Sequence, residues 1–252
     1  MNSQYLKKVN LGDVPGVYFF KGGNEGKDIL YIGKATSLKN RVKSYFSGDL
    51  MNTRGPLIVE MIDKATHISF EKTDSVLEAL ILEANLIKKH QPLFNTKEKD
   101  NKSFNYVVIT DEYFPRVLMM RGRELANGEK AEKTNFKIKE SFGPFPNGTQ
   151  LKEALRIVRK IFPFRDKCLP NDGKPCFNHQ IGLCPGVCSD EISKKEYAKQ
   201  IHHISLFFQG KKTTLIKTLE KEMKTFAKNK EFEKAGEIKK TIFALNHIQD
   251  VA

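Results

Sequence analysis

The sequence predicts an α+β fold, with a small three-stranded antiparallel sheet flanked by helices, then a β-rich middle segment, then a helical hairpin at the C-terminal end. Three observations carry this. Two short apolar runs, GVYFF at 16–20 and ILYIG at 29–33, alternate like strands around a glycine-rich loop. Runs of β character recur between 104 and 142, and from 193 onward the periodicity is helical. Three strands and three helices in the first hundred residues are too few for a doubly wound sheet.

In order along the chain, strands are expected at about 16–21 and 28–33, joined through Gly22-Gly23-Asn24-Glu25-Gly26, whose glycines permit the reversal of a hairpin. A helix follows, with Thr36 or Ser37 as N-cap and Leu38, Val42, Tyr45 and Phe46 as its apolar stripe. A second helix is expected over 55–65, a strand over 66–72, and a long helix over 74–90, opened by Asp74 and closed before Pro92. These elements form a domain over 12–96. The region 97–165 holds the runs NYVVIT, RVLMMRG and FKIKESFGPF, a polar loop around Asn127-Gly128-Glu129, and a helix over 148–162. Residues 166–190 form a cysteine segment. Residues 193–250 are helical, with a hairpin at about 212–247 whose stripes are Leu215, Leu219, Met223, Phe226 and Ala235, Ile238, Ile242, Leu245. A lone helical hairpin buries little apolar surface, so it should dock on something.

The chain has 252 residues, 39% hydrophobic and 29% charged, with a formal net charge of +13. It is long enough for a packed core and is not a disordered tail. The positive excess suits a polyanionic partner better than a membrane. No apolar stretch reaches the length of a spanning helix, and MNSQYLKKVN lacks the apolar core of a signal peptide, so the expected location is the cytoplasm.

Strand alternation can bring Tyr18 and Tyr31 to one surface, where two strand tyrosines would ordinarily be amphipathic core residues. The long helix changes that reading. On a helical wheel Glu83 falls inside the apolar arc of Val76, Leu80, Ala84 and Ile87, whereas Glu78 lies on the polar side. A buried carboxylate needs a partner. Either Glu83 pairs internally with Arg41, which flanks its own helix's stripe, or Glu83 holds a metal while Arg41 and Lys34 hold a phosphate.

The four cysteines, Cys168, Cys176, Cys184 and Cys188, read C-x7-C-x7-C-x3-C. In a reducing compartment such clustering favours a metal over disulfides. The paired C-x2-C knuckles of zinc ribbons are missing, so zinc, an iron–sulfur cluster and no metal all remain open on spacing. His179 reads as a surface residue rather than a ligand. On the helix at 148–162, Lys152, Arg156, Arg159 and Lys160 share one side, either a solvated face or a ridge that contacts DNA phosphates.

The residues GVY at 16–18, YIG at 31–33, Lys34, Arg41, Glu83 and Asn95 resemble the GIY-YIG nuclease domain. More narrowly, PGVYFFK, LYIGKATSLKNRVKSYF and LEALILEANLIKKHQPLFN resemble the N-terminal half of the UvrC family, the incision subunit of bacterial nucleotide excision repair. That resemblance implies an enzyme that cuts one DNA strand of a lesion-bearing duplex with a single divalent ion, Mg2+ or Mn2+. Glu83 would be the metal ligand and Tyr31 the general base, or a positioner, for water. Lys34 and Arg41 would stabilise the phosphate, Tyr18 would shape the site and Asn95 would brace it. A tyrosine base would need its phenol pKa lowered by neighbouring cations. KPCFNHQIGLCPGVC is similar to the family's cysteine segment, which implies a [4Fe–4S] cluster, with zinc the alternative. LEKEMKTFAKNKEFEKAGEIKKTIFAL resembles the UVR hairpin through which the family docks on UvrB, with Phe226, Phe232 and Ala235 as contacts. Gly236 and Lys239-Lys240 depart from the usual alanine and arginine–aspartate there.

Carboxylate clusters of a second nuclease domain and helix-hairpin-helix repeats do not follow, so a short UvrC-like or Cho-like endonuclease confined to the incision 3′ to the lesion is expected. Rival readings are another GIY-YIG endonuclease, or a non-catalytic adaptor that binds DNA and UvrB.

Overall fold

The computed structural model describes residues 9–97, 104–126 and 136–248. The polar loop expected around Asn127-Gly128-Glu129 lies outside them. The described residues fall into two compact units: 9–97 with Phe104 and Gly143–Pro146, and the remainder.

The first unit is built on β1 (Gly16–Gly22), β2 (Asp28–Ala35) and β3 (His67–Lys72), antiparallel in the order β2-β1-β3. As the middle strand, β1 is covered on both faces, which explains its unbroken apolar run. Tyr18 and Phe20 pack with Tyr31, Leu38, Val42 and Tyr45 on one side, while Val17 and Ile32 meet Ala79 and Ile87 on the other. Helix α1 (Leu38–Lys43) is capped by Ser37, whose Oγ accepts the Asn40 N–H. It then tightens into a 3-10 turn at Ser44–Phe46, so Tyr45 and Phe46 of the expected stripe belong to that turn. A short helix absent from the sequence reading, α2 (Leu50–Arg54), precedes α3 (Pro56–Lys64). The N-cap of the long helix α4 (Val76–His90) lies one residue later than expected: it is Ser75, not Asp74, its Oγ accepting the Glu78 N–H. It stops at Gln91, whose left-handed backbone precedes Pro92 and α5 (Leu93–Lys97).

In the second sheet β4 (Asn105–Thr110) lies between β5 (Val117–Arg121) and β6 (Ile138–Phe145), with α6 (Gly122–Ala126) following β5; all but the Gly143–Phe145 end of β6 belongs to the second unit. Helix α7 (Gly148–Ile161) is capped by Asn147 and buries Leu151, Ala154 and Val158. A single-turn helix, α8 (Phe177–Gln180), sits among the cysteines. A capping box of Ser193 and Glu196 starts α9 (Lys194–Phe208). The chain ends in the hairpin α10 (Lys212–Lys228) and α11 (Phe232–Asn246), which packs on α9 and α7 and buries Leu215, Leu219, Ala235 and Leu245. The partner that a lone hairpin requires is thus supplied in part by the chain itself. Among the described residues no helix is long and apolar enough to cross a membrane.

Candidate active site

Strand register places Tyr18 opposite Gly33 and Phe20 opposite Tyr31. Gly33 is needed because the Tyr18 phenol lies directly over it; a Cβ there would overlap the ring and its oxygen. The rings of Tyr18, Tyr31 and Tyr45 converge, with centroids 5.8 to 6.4 Å apart. Tyr18 is fully buried, and its hydroxyl shares a 2.8 Å hydrogen bond with the Tyr45 hydroxyl and accepts one from Arg41 Nε at 3.2 Å. Burial, reinforced by Tyr45, holds the Tyr18 phenol well above its usual pKa, with Arg41 pulling the other way. Tyr18 is therefore held in its neutral form.

Glu83 is buried, as its place on the wheel predicts, and Oε1 accepts the Lys34 backbone N–H at 2.8 Å. Oε2 has no hydrogen-bond partner among the described residues. Burial pushes the carboxyl up to about 7, against the pull of the Lys34 N–H, the Lys34 ammonium and Arg41. Burial likewise lowers the Lys34 pKa, opposed by Glu83. Burial thus drives both groups toward their neutral forms against their mutual attraction. Although burial opposes its charge, the tyrosines around Arg41 hold that guanidinium protonated more firmly than usual. Among the described residues Arg41 and Glu83 form no ion pair, so the internal-pair reading of these two residues does not hold.

Asn95 fixes the strand that carries Tyr31 and Lys34. Its Oδ1 accepts the Ile32 N–H and its Nδ2 donates to the Ile32 carbonyl, both at 2.8 Å. Tyr18, Tyr31, Lys34, Arg41, Glu83 and Asn95 all come together. Tyr45 joins them, although its spacing alone marks it as a stripe residue. Its only signal was a hydroxyl at an apolar position, four residues after Arg41.

Three family models match in succession: "UvrC-like GIY-YIG domain" over residues 14–96, "UvrC/Cho excinuclease, middle domain" over 104–207, and "UvrB/uvrC motif" over 213–248. The UvrABC system protein C of Acetivibrio thermocellus is 41% identical over 251 residues, which is 97% of this chain. The chain belongs to the UvrC family. The protein of the same name from Carboxydothermus hydrogenoformans is 41% identical over 96% of the chain. The chain spans 37% and 38% of these two relatives' lengths. Among solved structures, the GIY-YIG N-terminal endonuclease domain of UvrC from Thermotoga maritima, bound to its catalytic divalent cation magnesium, is 35% identical. It covers 38% of this chain and 99% of that one, with a TM-score of 0.32.

In the middle domain of this UvrC-family chain, the sulfurs of Cys168, Cys176, Cys184 and Cys188 all lie within 4.8 Å of one another, and none is in a disulfide. Burial and the Cys184 sulfur push the Cys168 thiol up. At Cys176 burial works the same way but is outweighed by hydrogen bonds, first that of the His179 backbone, and the thiol is lowered. The Cys176 N–H points at the Cys188 sulfur at 3.2 Å. His179 is not a free surface residue: Nδ1 meets the Cys184 carbonyl and Nε2 meets Glu191, each at 2.9 Å, so it ties the cysteine loop together.

The basic ridge on α7 needs one correction. Arg159 turns inward, pairing both terminal nitrogens with Asp166 at 2.7 and 2.9 Å and donating to the Leu183 and Phe164 carbonyls. A phosphate would have to displace these bonds, so Arg159 anchors the cysteine segment. Lys152, Arg156 and Lys160 remain exposed. On the UVR hairpin Phe232 is 68% exposed and Phe226 half-buried, but Ala235 is buried at 8% and presents no surface to a partner. Phe243, 63% exposed, was not foreseen.

Proposed function

We propose that this chain is a structure-specific DNA endonuclease of nucleotide excision repair that hydrolyses a phosphodiester 3′ to a lesion, working on DNA held with UvrB. The observation that carries this is Glu83: a buried carboxylate with one oxygen committed to the Lys34 N–H, the other without a hydrogen-bond partner among the described residues, and a pKa raised by burial. That donor set suits a hard divalent cation, Mg2+ or Mn2+, which supplies Lewis acidity at the phosphate when bound. Lys34 and Arg41 offset negative charge on the phosphate oxygens. Tyr31 takes, or positions, the proton of the attacking water. Tyr18 and Tyr45 fix Arg41, and Asn95 holds β2 in register.

The four thiols fit a tetrathiolate centre, which we assign as a [4Fe–4S] cluster in preference to zinc. Iron and zinc analysis of protein purified without oxygen distinguishes the two. Lys152, Arg156 and Lys160 line the duplex, and Phe226 and Phe232 face UvrB.

The test compares the chain with Glu83→Gln on a damaged or pre-nicked duplex with UvrB and magnesium or manganese. Cutting by the intact chain alone is expected. Equal cutting by both removes Glu83 from the metal site; no cutting by either, with UvrB still bound, favours an adaptor.

A further inference from the structure

Arg54, the last residue of α2, lies with its guanidinium carbon 4.2 Å from the centroid of the Tyr45 ring. Arg41 approaches the same ring at 5.6 Å. A single aromatic side chain, whose hydroxyl is bonded to Tyr18, therefore carries two guanidinium groups. Arg54 is held in place a second time: Nη2 donates to Ser44 Oγ at 2.8 Å, and Ser44 Oγ donates in turn to the Arg41 carbonyl at 2.7 Å.

The partners of Arg54 are a neutral ring and a neutral hydroxyl. Among the described residues it forms no ion pair, unlike Arg116 or Arg159, which each face a carboxylate. It is half-buried, so its charge has given up part of its hydration without a counter-ion. Nε and Nη1 make no hydrogen bond among the described residues. A guanidinium held over an aromatic ring has already lost much of its rotamer freedom, and its uncommitted N–H groups are donors matched to a phosphate.

We propose that Arg54 binds the DNA backbone phosphate next to the one that is cut, with Tyr45 as the rigid platform that sets the spacing between Arg54 and Arg41. This rests on the nuclease reading above. It adds a specific role: Arg41 serves the scissile phosphate and Arg54 its neighbour on the same strand. The site thereby selects a continuous phosphodiester strand rather than an isolated phosphate.

The experiment uses the full chain with UvrB, magnesium and a pre-nicked duplex. In Arg54→Gln, KM is expected to rise about tenfold, the equivalent of one charged hydrogen-bonded contact, while kcat falls less than threefold. Arg54→Lys, which keeps the charge but not the fork, should recover part of that loss. Binding is measured separately in a Glu83→Gln background, where nothing is cut. Adding Arg54→Gln should there lower the slope of log affinity against log salt by about one. A duplex with one neutral methylphosphonate beside the scissile position should weaken the Arg54 protein about tenfold and the Arg54→Gln protein hardly at all.

An unchanged salt slope, or equal sensitivity of both proteins to the methylphosphonate, overturns the proposal. A fall in kcat with unchanged KM does the same, because it would mean that Arg54 only props Tyr45. If the unsubstituted chain cuts nothing, the nuclease reading fails and takes this proposal with it.

Discussion

Replacing Glu83 by glutamine should stabilise the metal-free protein. The side chain is 7% exposed, and its carboxyl is shifted from 4.5 to about 7, chiefly by burial. A raised carboxyl pKa means that the folded chain holds its proton after the unfolded chain has released it. Stability therefore falls as pH climbs from about 4.5 to 7 and stays low above that. At 1.36 kcal/mol per unit, the penalty at pH 8 is roughly 3 kcal/mol. Glutamine keeps an oxygen for the Lys34 N–H and never ionises, so it escapes this penalty. Urea unfolding in EDTA, followed through the tyrosine signal, should show the two proteins within about 0.5 kcal/mol of each other at pH 4. At pH 8 the variant should lead by roughly 3 kcal/mol. Saturating magnesium should close the gap by stabilising only the Glu83 protein. If the variant is no more stable at pH 8 without metal, Lys34 and Arg41 already neutralise the carboxylate, and desolvation is not the dominant effect.

Gly33→Ala should destabilise the first unit by about 2 kcal/mol or more, since the new methyl meets the Tyr18 phenol; a midpoint in urea equal to the parent's would show that the ring can move aside. Gly236→Ala should raise stability by up to about 1 kcal/mol, because a Cβ there meets nothing within 4 Å and alanine is the better helix former, as thermal unfolding can measure. Arg159→Ala should destabilise the second unit by about 3 kcal/mol through the stranded Asp166 and reduce the metal retained per chain. Arg156→Ala should leave both unchanged and only shallow the salt dependence of DNA binding.

How much of this was legible in the sequence depended on the range of the interactions involved. The β1–β2 hairpin follows from alternation and glycines that act over a few residues. Glu83 stood out because a helical wheel registers a carboxylate on the wrong side, whatever it later touches. Tyr45 did not, because its hydroxyl finds Tyr18 across 27 residues and its ring packs like any stripe residue. Arg159 was misjudged for a related reason. A wheel gives the direction in which a side chain leaves the helix, but a long guanidinium can bend back to Asp166 and the Leu183 carbonyl. Ala235 matched a motif that marks a partner-facing hairpin, yet motif and spacing say nothing about which face the chain's own α7 and α9 will cover. At α4 residue type pointed to Asp74, but backbone geometry gives the cap to Ser75.

Asn95 has a consequence beyond holding β2 in register. In the order β2-β1-β3, β2 is an outer strand, and outer strands carry backbone groups that could recruit a strand from another chain. The Asn95 amide supplies Ile32 with the donor and the acceptor that such an intruder would bring. A single side chain thus imitates one peptide unit of an additional strand. At that point the sheet is closed to further growth, and β2 offers Ile32 to no strand of a second polypeptide.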